Sequence, residues 1–336
     1  MEPKGLLTIV GSIDVSQFWP ATQGNTSSDA DTVHMKVNPD TSFLFSASPG
    51  AKPKITTSFK GAYVFDHGRK TVITGKSEIK IRLQGVDAPE LHFPTIEKPA
   101  PGKKNGEFRQ PYGASAAKAL HDYLMGFATG GTTQVYASLV THVDRPGDAV
   151  DSHGRFVGDI IVGTAGGKSI NTWLAENGWA YPMFYDSMTA AEVKTLLNAW
   201  KIGRKIGGRA GKAIAYSLQT FDPSRTVGNA ALPDGGKLNY PKIFRRQSSF
   251  WVQAGDGLTP ADFKQMLAAS RKGKPDTAYL TDYFLKNIQN PDKKMRIKLA
   301  DKIQADGRIN FKPEDLVFTE DPSELLDSSG HKVTSW

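Results

Sequence analysis

Cysteine is absent from all 336 residues, which excludes disulfides, thiolate zinc sites and cysteine nucleophiles together. Absent too is any apolar run approaching the length of a membrane span. Met1–Lys4 does not lead into a secretory signal, so a cytoplasmic location is the default expectation, with secretion after trimming of a signal as the alternative. None of the histidines, His34, His92 and His142 among them, falls at metal-ligand spacing, and they read as surface or core residues. No segment repeats elsewhere in the chain. Gly163–Ser169 imitates a phosphate-binding loop, but the required first glycine falls at Val162, which leaves a turn followed by a helix cap at Ser169.

What is there describes a soluble globular chain. Hydrophobic residues make up 39% and charged residues 23%, and the length suits about two domains. The formal charge of +8 favours a polyanionic partner, although by itself it does not single out nucleic acid.

Periodicity places the first elements. Leu6–Val10 and the alternating Val33, Met35 and Val37 read as strands. The Ser-, Thr-, Gly- and Pro-rich residues 38–76 read as an insertion forming an extended hairpin. Ile79, Ile81 and Leu83 alternate with Lys80 and Arg82, a strand with one buried face. Helical spacing follows in Ala116, Leu120, Tyr123, Leu124 and Phe127, then strands at Gln134–Leu139 and Phe156–Val162. Ser169 caps a short helix carrying Ile170, Trp173 and Leu174, and a Thr189/Glu192 capping box opens another with Val193, Leu196, Leu197 and Trp200. The basic run Lys201, Arg204, Lys205, Arg209 and Lys212 reads as a solvated helix face.

Beyond Gly207-Gly208 the texture changes. Residues 213–240 read as a linker and 241–336 as a mainly helical α+β accessory domain. Helices are expected from Thr259, over Thr277–Ile288 and over Pro291–Ile303, with a closing strand at Ile309 and Phe311. Lys242–Trp251 mixes Arg245 and Arg246 with Phe244, Phe250 and Trp251, a combination suited to stacking bases and binding phosphates, with a basic edge strand packed on the helices as the favoured reading. The acidic stretch from Glu314 to Asp327 favours docking of a protein partner over a grip on nucleic acid. On this reading the extension is dispensable for chemistry.

Two clusters carry chemistry. Asp29-Ala30-Asp31-Thr32-Val33 sets carboxylates at the mouth of a strand, and Arg82–Glu90 ends a strand in Asp87 and Glu90 just past an arginine. Asp151-Ser152-His153-Gly154-Arg155 adds a second arginine at a tight turn. Phosphodiester hydrolysis needs these parts. Charge gathering on a five-coordinate phosphate must be neutralised by a hard cation on oxygen ligands and by arginine forks. A carboxylate must also take a proton from the attacking water.

In that order, Asp29–Val33, Arg82–Glu90, Tyr112-Gly113 and His153-Gly154-Arg155 resemble the staphylococcal nuclease (thermonuclease) family, over about residues 6–208. The resemblance implies a five-stranded OB-fold β-barrel with packed helices, within residues 1–212. It implies a calcium-dependent endonuclease acting on DNA and RNA, with a preference for single strands. Asp31 and Asp87 match the calcium carboxylates, and Ala88 falls where the family uses a backbone carbonyl. Arg82 and Arg155 match the phosphate-binding arginines, Glu90 the general base, and Asp29 an acid behind the ligands. Lys103 and Lys104 lie in the family's substrate loop, and His153 stands where the family often has a tyrosine that touches phosphate. The aromatic lining the base pocket is Phe184 or Tyr185. The rival expectation is a barrel that has lost catalysis and only binds nucleic acid or protein. Retention of Asp31, Arg82, Asp87, Glu90 and Arg155 favours the enzyme.

Overall fold

Period-two apolar patterns in five segments close a β-barrel: β1 (Leu6–Asp14), β2 (Thr32–Lys36), β3 (Glu78–Leu83), β4 (Gln134–His142) and β5 (Phe156–Val162). The computed structural model describes residues 5–18, 28–65, 68–94, 107–163, 167–205, 238–254, 259–269, 275–320 and 323–336. β1 pairs antiparallel with β4 along its whole length, from Leu6↔His142 to Asp14↔Gln134, and with β2 near Ile13↔Met35. β2 pairs with β3, β3 runs parallel to β5, and β5 returns to β4, so the sheet has no free edge within the ring. Ile9, Ile13, Val33, Ile79, Ile81, Leu139, Phe156 and Ile160 fill the interior with no exposure. The fold is the expected OB-type barrel with helices packed around it.

Helix α1 (Gly113–Met125) buries Ala116, Leu120 and Leu124, the residues expected from spacing. In α2 (Ile170–Glu176) the Ser169 hydroxyl accepts the Thr172 N–H as N-cap. In α3 (Ala190–Lys205) Glu192 Oε2 accepts the Thr189 N–H at 2.7 Å, and Thr189 Oγ1 accepts the Glu192 N–H at 3.2 Å. Of the basic run, Lys201 and Lys205 are exposed and Arg204 pairs with Glu314.

The insertion is not one hairpin. Phe43–Ser46 pairs with β1 and with Lys54–Ile55, extending the barrel sheet. A separate hairpin, Tyr63–Phe65 with Arg69–Thr71, takes Leu325–Leu326 from the chain's far end as a third strand.

Residues 238–336 share sheet and core with the barrel region instead of folding apart from it. Tyr181–Tyr185 pairs antiparallel with Gly85–Asp87 on one side and parallel with Leu316–Phe318 on the other. Thr277–Leu280 and Ile297–Lys298 complete that five-stranded sheet. One apolar cluster joins Tyr181, Met183 and Trp200 to Tyr240, Ile243, Phe263, Leu267, Leu316 and Phe318. At the other end Trp336 stacks on Phe45 at 3.9 Å between ring centroids. Of the expected linker, Leu238–Tyr240 are buried, and residues up to 237 fall outside those described.

Three local expectations are corrected here. Lys242–Trp251 belongs to a helix, α4 (Pro241–Ala254), because Ile243, Phe244, Gln247 and Ser248 lie on one buried helical face. Thr277–Leu280 is a strand held between two others, and only Thr281–Asn287 (α6) is helical. Residues 291–303 form short 3-10 turns around Ile297–Lys298, with Ile303 bridging to Ile309. Helix α5 (Pro260–Ala269) starts where expected, with Phe263 and Leu267 buried.

Candidate active site

The site begins where β3 breaks. Gly85 has φ +77°, and a Cβ there would lie 2.3 Å from Leu196 Cδ1 and 2.8 Å from Met188 Cε. Only glycine turns the chain at that point. Asn171 Nδ2 donates to Gln84 O at 2.7 Å and Gly158 O at 3.2 Å, which pins the break to β5. The chain then enters Gly85–Asp87, with Asp87 opposite Tyr181. Past Glu90, the start of α1 closes on the loop: a Cβ on Gly113 would lie 2.7 Å from Glu90 O. Gln110 clasps Glu90 by its backbone, accepting the Glu90 N–H at Oε1 and donating its own N–H to Glu90 O.

Four carboxylates and two guanidiniums converge there. Arg82 reaches Asp31 Oδ2 with Nη1 and Asp87 Oδ1 with Nη2, each at 2.5 Å. Arg245, from α4, donates Nη1 to Asp87 Oδ1 at 2.9 Å and Nη2 to Asp87 Oδ2 at 3.1 Å, and its Nη1 also pairs with Glu90 Oε1. Asp31 Oδ2 accepts the Ala88 N–H at 2.8 Å. Asp29 Oδ1 accepts the Leu91 and His92 N–H groups at 2.7 and 3.0 Å. Asp31, Asp87 and Glu90 are all buried.

The acids of the cluster are not alike. Burial and the neighbouring Glu90 and Asp31 charges push Asp29 well above the carboxylate range. Burial lifts Glu90 to about 7 against the pull of Arg245, with Asp31 and Asp87 adding to the rise. Asp87 is the exception: burial works against its charge, yet Arg245 and Arg82 hold its carboxyl below the ordinary value. Four acids face two guanidiniums, and Asp29 and Glu90 are the two that hold their protons more tightly.

Residues 80–206 match the family described as staphylococcal nuclease homologue. Over those residues the chain is similar to staphylococcal nuclease. A protein described as the probable endonuclease LCL3, from Yarrowia lipolytica, is 32% identical over 120 residues, covering 35% of this chain. The matched stretch spans 41% of that relative's length.

The structure gathers Asp29 and Asp31, which precede the matched residues, with Arg82, Asp87, Ala88 and Glu90 in one place. Arg155 is bonded to another acid. It precedes β5 and closes on Asp151 through Nε at 2.8 Å and Nη2 at 2.7 Å, while its charge, with that of Lys70, bears on the exposed Lys80. His153 sits in the same turn, its N–H on Asp151 Oδ1. Of the two aromatics, Phe184 is buried in the core. Tyr185 adjoins the site: burial pushes its hydroxyl up to about 12, with Asp87 adding to the rise and Arg82 opposing it. Lys103 and Lys104 lie outside the described residues.

Sequence reasoning noted Arg245 in a basic aromatic segment but did not place it at the acid cluster, and it missed the role of Gln110. Arg245 had one signal, an arginine on the border of an apolar helical face. Gln110 had none.

The donor set fits a hard divalent cation by its chemistry, because the acids and the Ala88 carbonyl offer only oxygens. Among the described residues no three carboxylate or imidazole side chains stand ready as a metal cage. Asp31 and Asp87 with the Ala88 backbone are the groups that would hold a cation, and Arg245 now engages both oxygens of Asp87.

Proposed function

We infer that this chain is a calcium-dependent nuclease that hydrolyses phosphodiester bonds of DNA and RNA, with a preference for single strands. The observation that carries the reading is the buried cluster of Asp31, Asp87 and Glu90 around Arg82, in a domain similar to nucleases. Bound at Asp31, Asp87 and the Ala88 backbone, calcium would supply polarisation of the scissile phosphate. A site of few carboxylates and a carbonyl suits a large, flexible cation better than magnesium, which demands near-ideal octahedral geometry.

The chain's own residues do the rest. Arg82 presents a fork with an open edge, its side chain 15% exposed, to the equatorial phosphate oxygens. Glu90, lifted to about 7, is poised to take a proton from water near neutral pH. Water then forms a bond to phosphorus as the bond to the leaving oxygen breaks. Arg155, Lys80 and Lys70 form a basic strip on the β3–β5 side that steers the backbone inward. A frayed or single strand offers such a groove an exposed phosphate and an unstacked base, and Tyr185 is the aromatic beside it.

Digestion of single-stranded and duplex DNA by the purified full chain tests the reading, with calcium, magnesium or excess EDTA. Calcium-supported cutting that favours single strands and stops in EDTA is expected. Equal cutting of both substrates would overturn the strand preference, and equal rates in magnesium would overturn the calcium assignment.

A further inference from the structure

One cation of the acid cluster comes from outside the matched residues 80–206. Arg245 lies on α4, yet its guanidinium bonds Asp87 and Glu90. We propose that Arg245 is an active-site arginine that binds the substrate phosphate, so that the C-terminal residues complete the nuclease site. The proposal rests on the nuclease reading above.

Four observations carry it. Arg245 and Arg82 share Asp87, so two forks stand on one carboxylate. Both keep an edge open, with side chains 21% and 15% exposed, from which an anion approaches. A planar fork that fits a carboxylate bidentately fits two phosphate oxygens equally well.

Second, Arg155 has its fork closed on Asp151 in the same turn. Among the described residues, the arginines bonded to Asp31, Asp87 and Glu90 are Arg82 and Arg245.

Third, Arg245 is held in register from both sides. Arg246, the next residue, grips Asp276 with Nε at 2.7 Å and Nη2 at 2.9 Å, and Lys242 reaches the same carboxylate at 3.4 Å. Gln110, which clasps Glu90, also donates Nε2 to Asn239 O at 2.8 Å, and Asn239 Nδ2 donates to Gln247 Oε1 at 3.0 Å. The general-base loop and α4 are thus one hydrogen-bonded unit. Positioned charge of this kind is what stabilises a developing phosphorane.

Fourth, Arg245 engages both oxygens of Asp87, and Arg82 shares Oδ1. A metal ion entering on Asp87 would compete with the Arg245 fork, and the incoming phosphate is an anion that the fork could take instead.

The alternatives are a structural ion pair and a plug that keeps the site shut. Arg245→Ala, Arg245→Lys and Arg246→Ala in the full chain separate them. Three readouts are compared: single-turnover cleavage of a single-stranded oligonucleotide in calcium, binding of its phosphorothioate analogue by fluorescence anisotropy, and calcium titration by calorimetry. Arg245→Ala is expected to slow cleavage on the order of a hundredfold and to weaken analogue binding at least about tenfold, with calcium affinity undiminished. Arg245→Lys recovers part of the binding but little turnover, because an ammonium lacks the fork. Arg246→Ala lowers the melting temperature and slows turnover of the folded protein far less than Arg245→Ala does, since its bonds go to Asp276 and it reaches the site only through α4.

Cleavage by Arg245→Ala at or above the wild-type rate identifies a plug and overturns the proposal. Equal losses in Arg245→Ala and Arg246→Ala identify a structural pair and do the same. If wild type binds the analogue but cleaves nothing with any divalent ion, the nuclease reading fails. The binding readout then decides Arg245 alone: lost binding in Arg245→Ala sustains its phosphate role, and unchanged binding ends it.

Discussion

Asp87 accepts from two arginines, and Arg82 donates to two carboxylates, so neither side chain can be changed without stranding a buried charge. Asp31→Ala and Asp87→Ala are expected to weaken calcium binding and cleavage together, as read by calorimetry and a nuclease assay. Loss of cleavage with calcium affinity untouched would remove them from the ligand set. Glu320 makes a separate prediction at the same scale. Burial and the nearby Asp186 lift it to about 7, against the pull of the Ser187 hydroxyl. Between its ordinary value and about 7 the folded chain holds the proton more tightly than the unfolded chain. Stability therefore falls as pH rises through that window and stays lower above it. Glu320→Gln should be more stable than wild type at pH 8, by about 2 kcal/mol, and equal to it near pH 4.5. Identical melting curves for the two proteins at pH 8 would refute the buried-acid account. Much at this scale was legible from the chain alone. Asp31, Arg82, Asp87 and Glu90 stand in short motifs, and backbone geometry brings such motifs together. Arg245 stands more than 150 residues from Asp87 in sequence and belongs to no motif, so only the tertiary structure delivers it.

At the scale of elements, the break between β3 and the strand of Asp87 sets the site's shape. Gly85→Ala must place a methyl group inside Leu196 and Met188 at a positive φ, and it should cost about 2 kcal/mol or more by thermal melting. It should also lower cleavage by shifting Asp87. A variant with wild-type stability would show that Leu196 and Met188 yield freely. Thr189→Ala, which removes the cap of α3, should cost about 1 kcal/mol and leave cleavage intact. The barrel strands, α1, α2 and α3 were readable because each has one buried face and a clear cap or period. Thr277–Leu280 was not. Ala278 and Tyr279 are both buried, between neighbouring strands that the local pattern does not reveal. α4 misled for another reason. Adjacent Phe244, Arg245 and Arg246 suggest a strand's alternating faces, yet Ile243, Phe244, Gln247 and Ser248 are buried at helical spacing.

For the whole molecule, the C-terminal residues are structural partners of the barrel region. Leu316–Phe318 covers the edge of Tyr181–Tyr185, Tyr240 and Phe318 share a core with Tyr181, and Trp336 caps Phe45 and Phe59. A chain ending at Gly211 should therefore expose that edge and core, melt well below the full-length protein or aggregate, and lose cleavage. A truncated protein that melts and cleaves as wild type would return the extension to the role of a dispensable appendage. The central claim is that the acid–arginine cluster is the seat of phosphodiester hydrolysis. Its most direct test is the single-turnover rate of Glu90→Gln on single-stranded DNA in saturating calcium, with circular dichroism confirming the fold. The account predicts a fall on the order of a hundredfold or more with DNA binding retained. A folded Glu90→Gln protein that cleaves at the wild-type rate would contradict it.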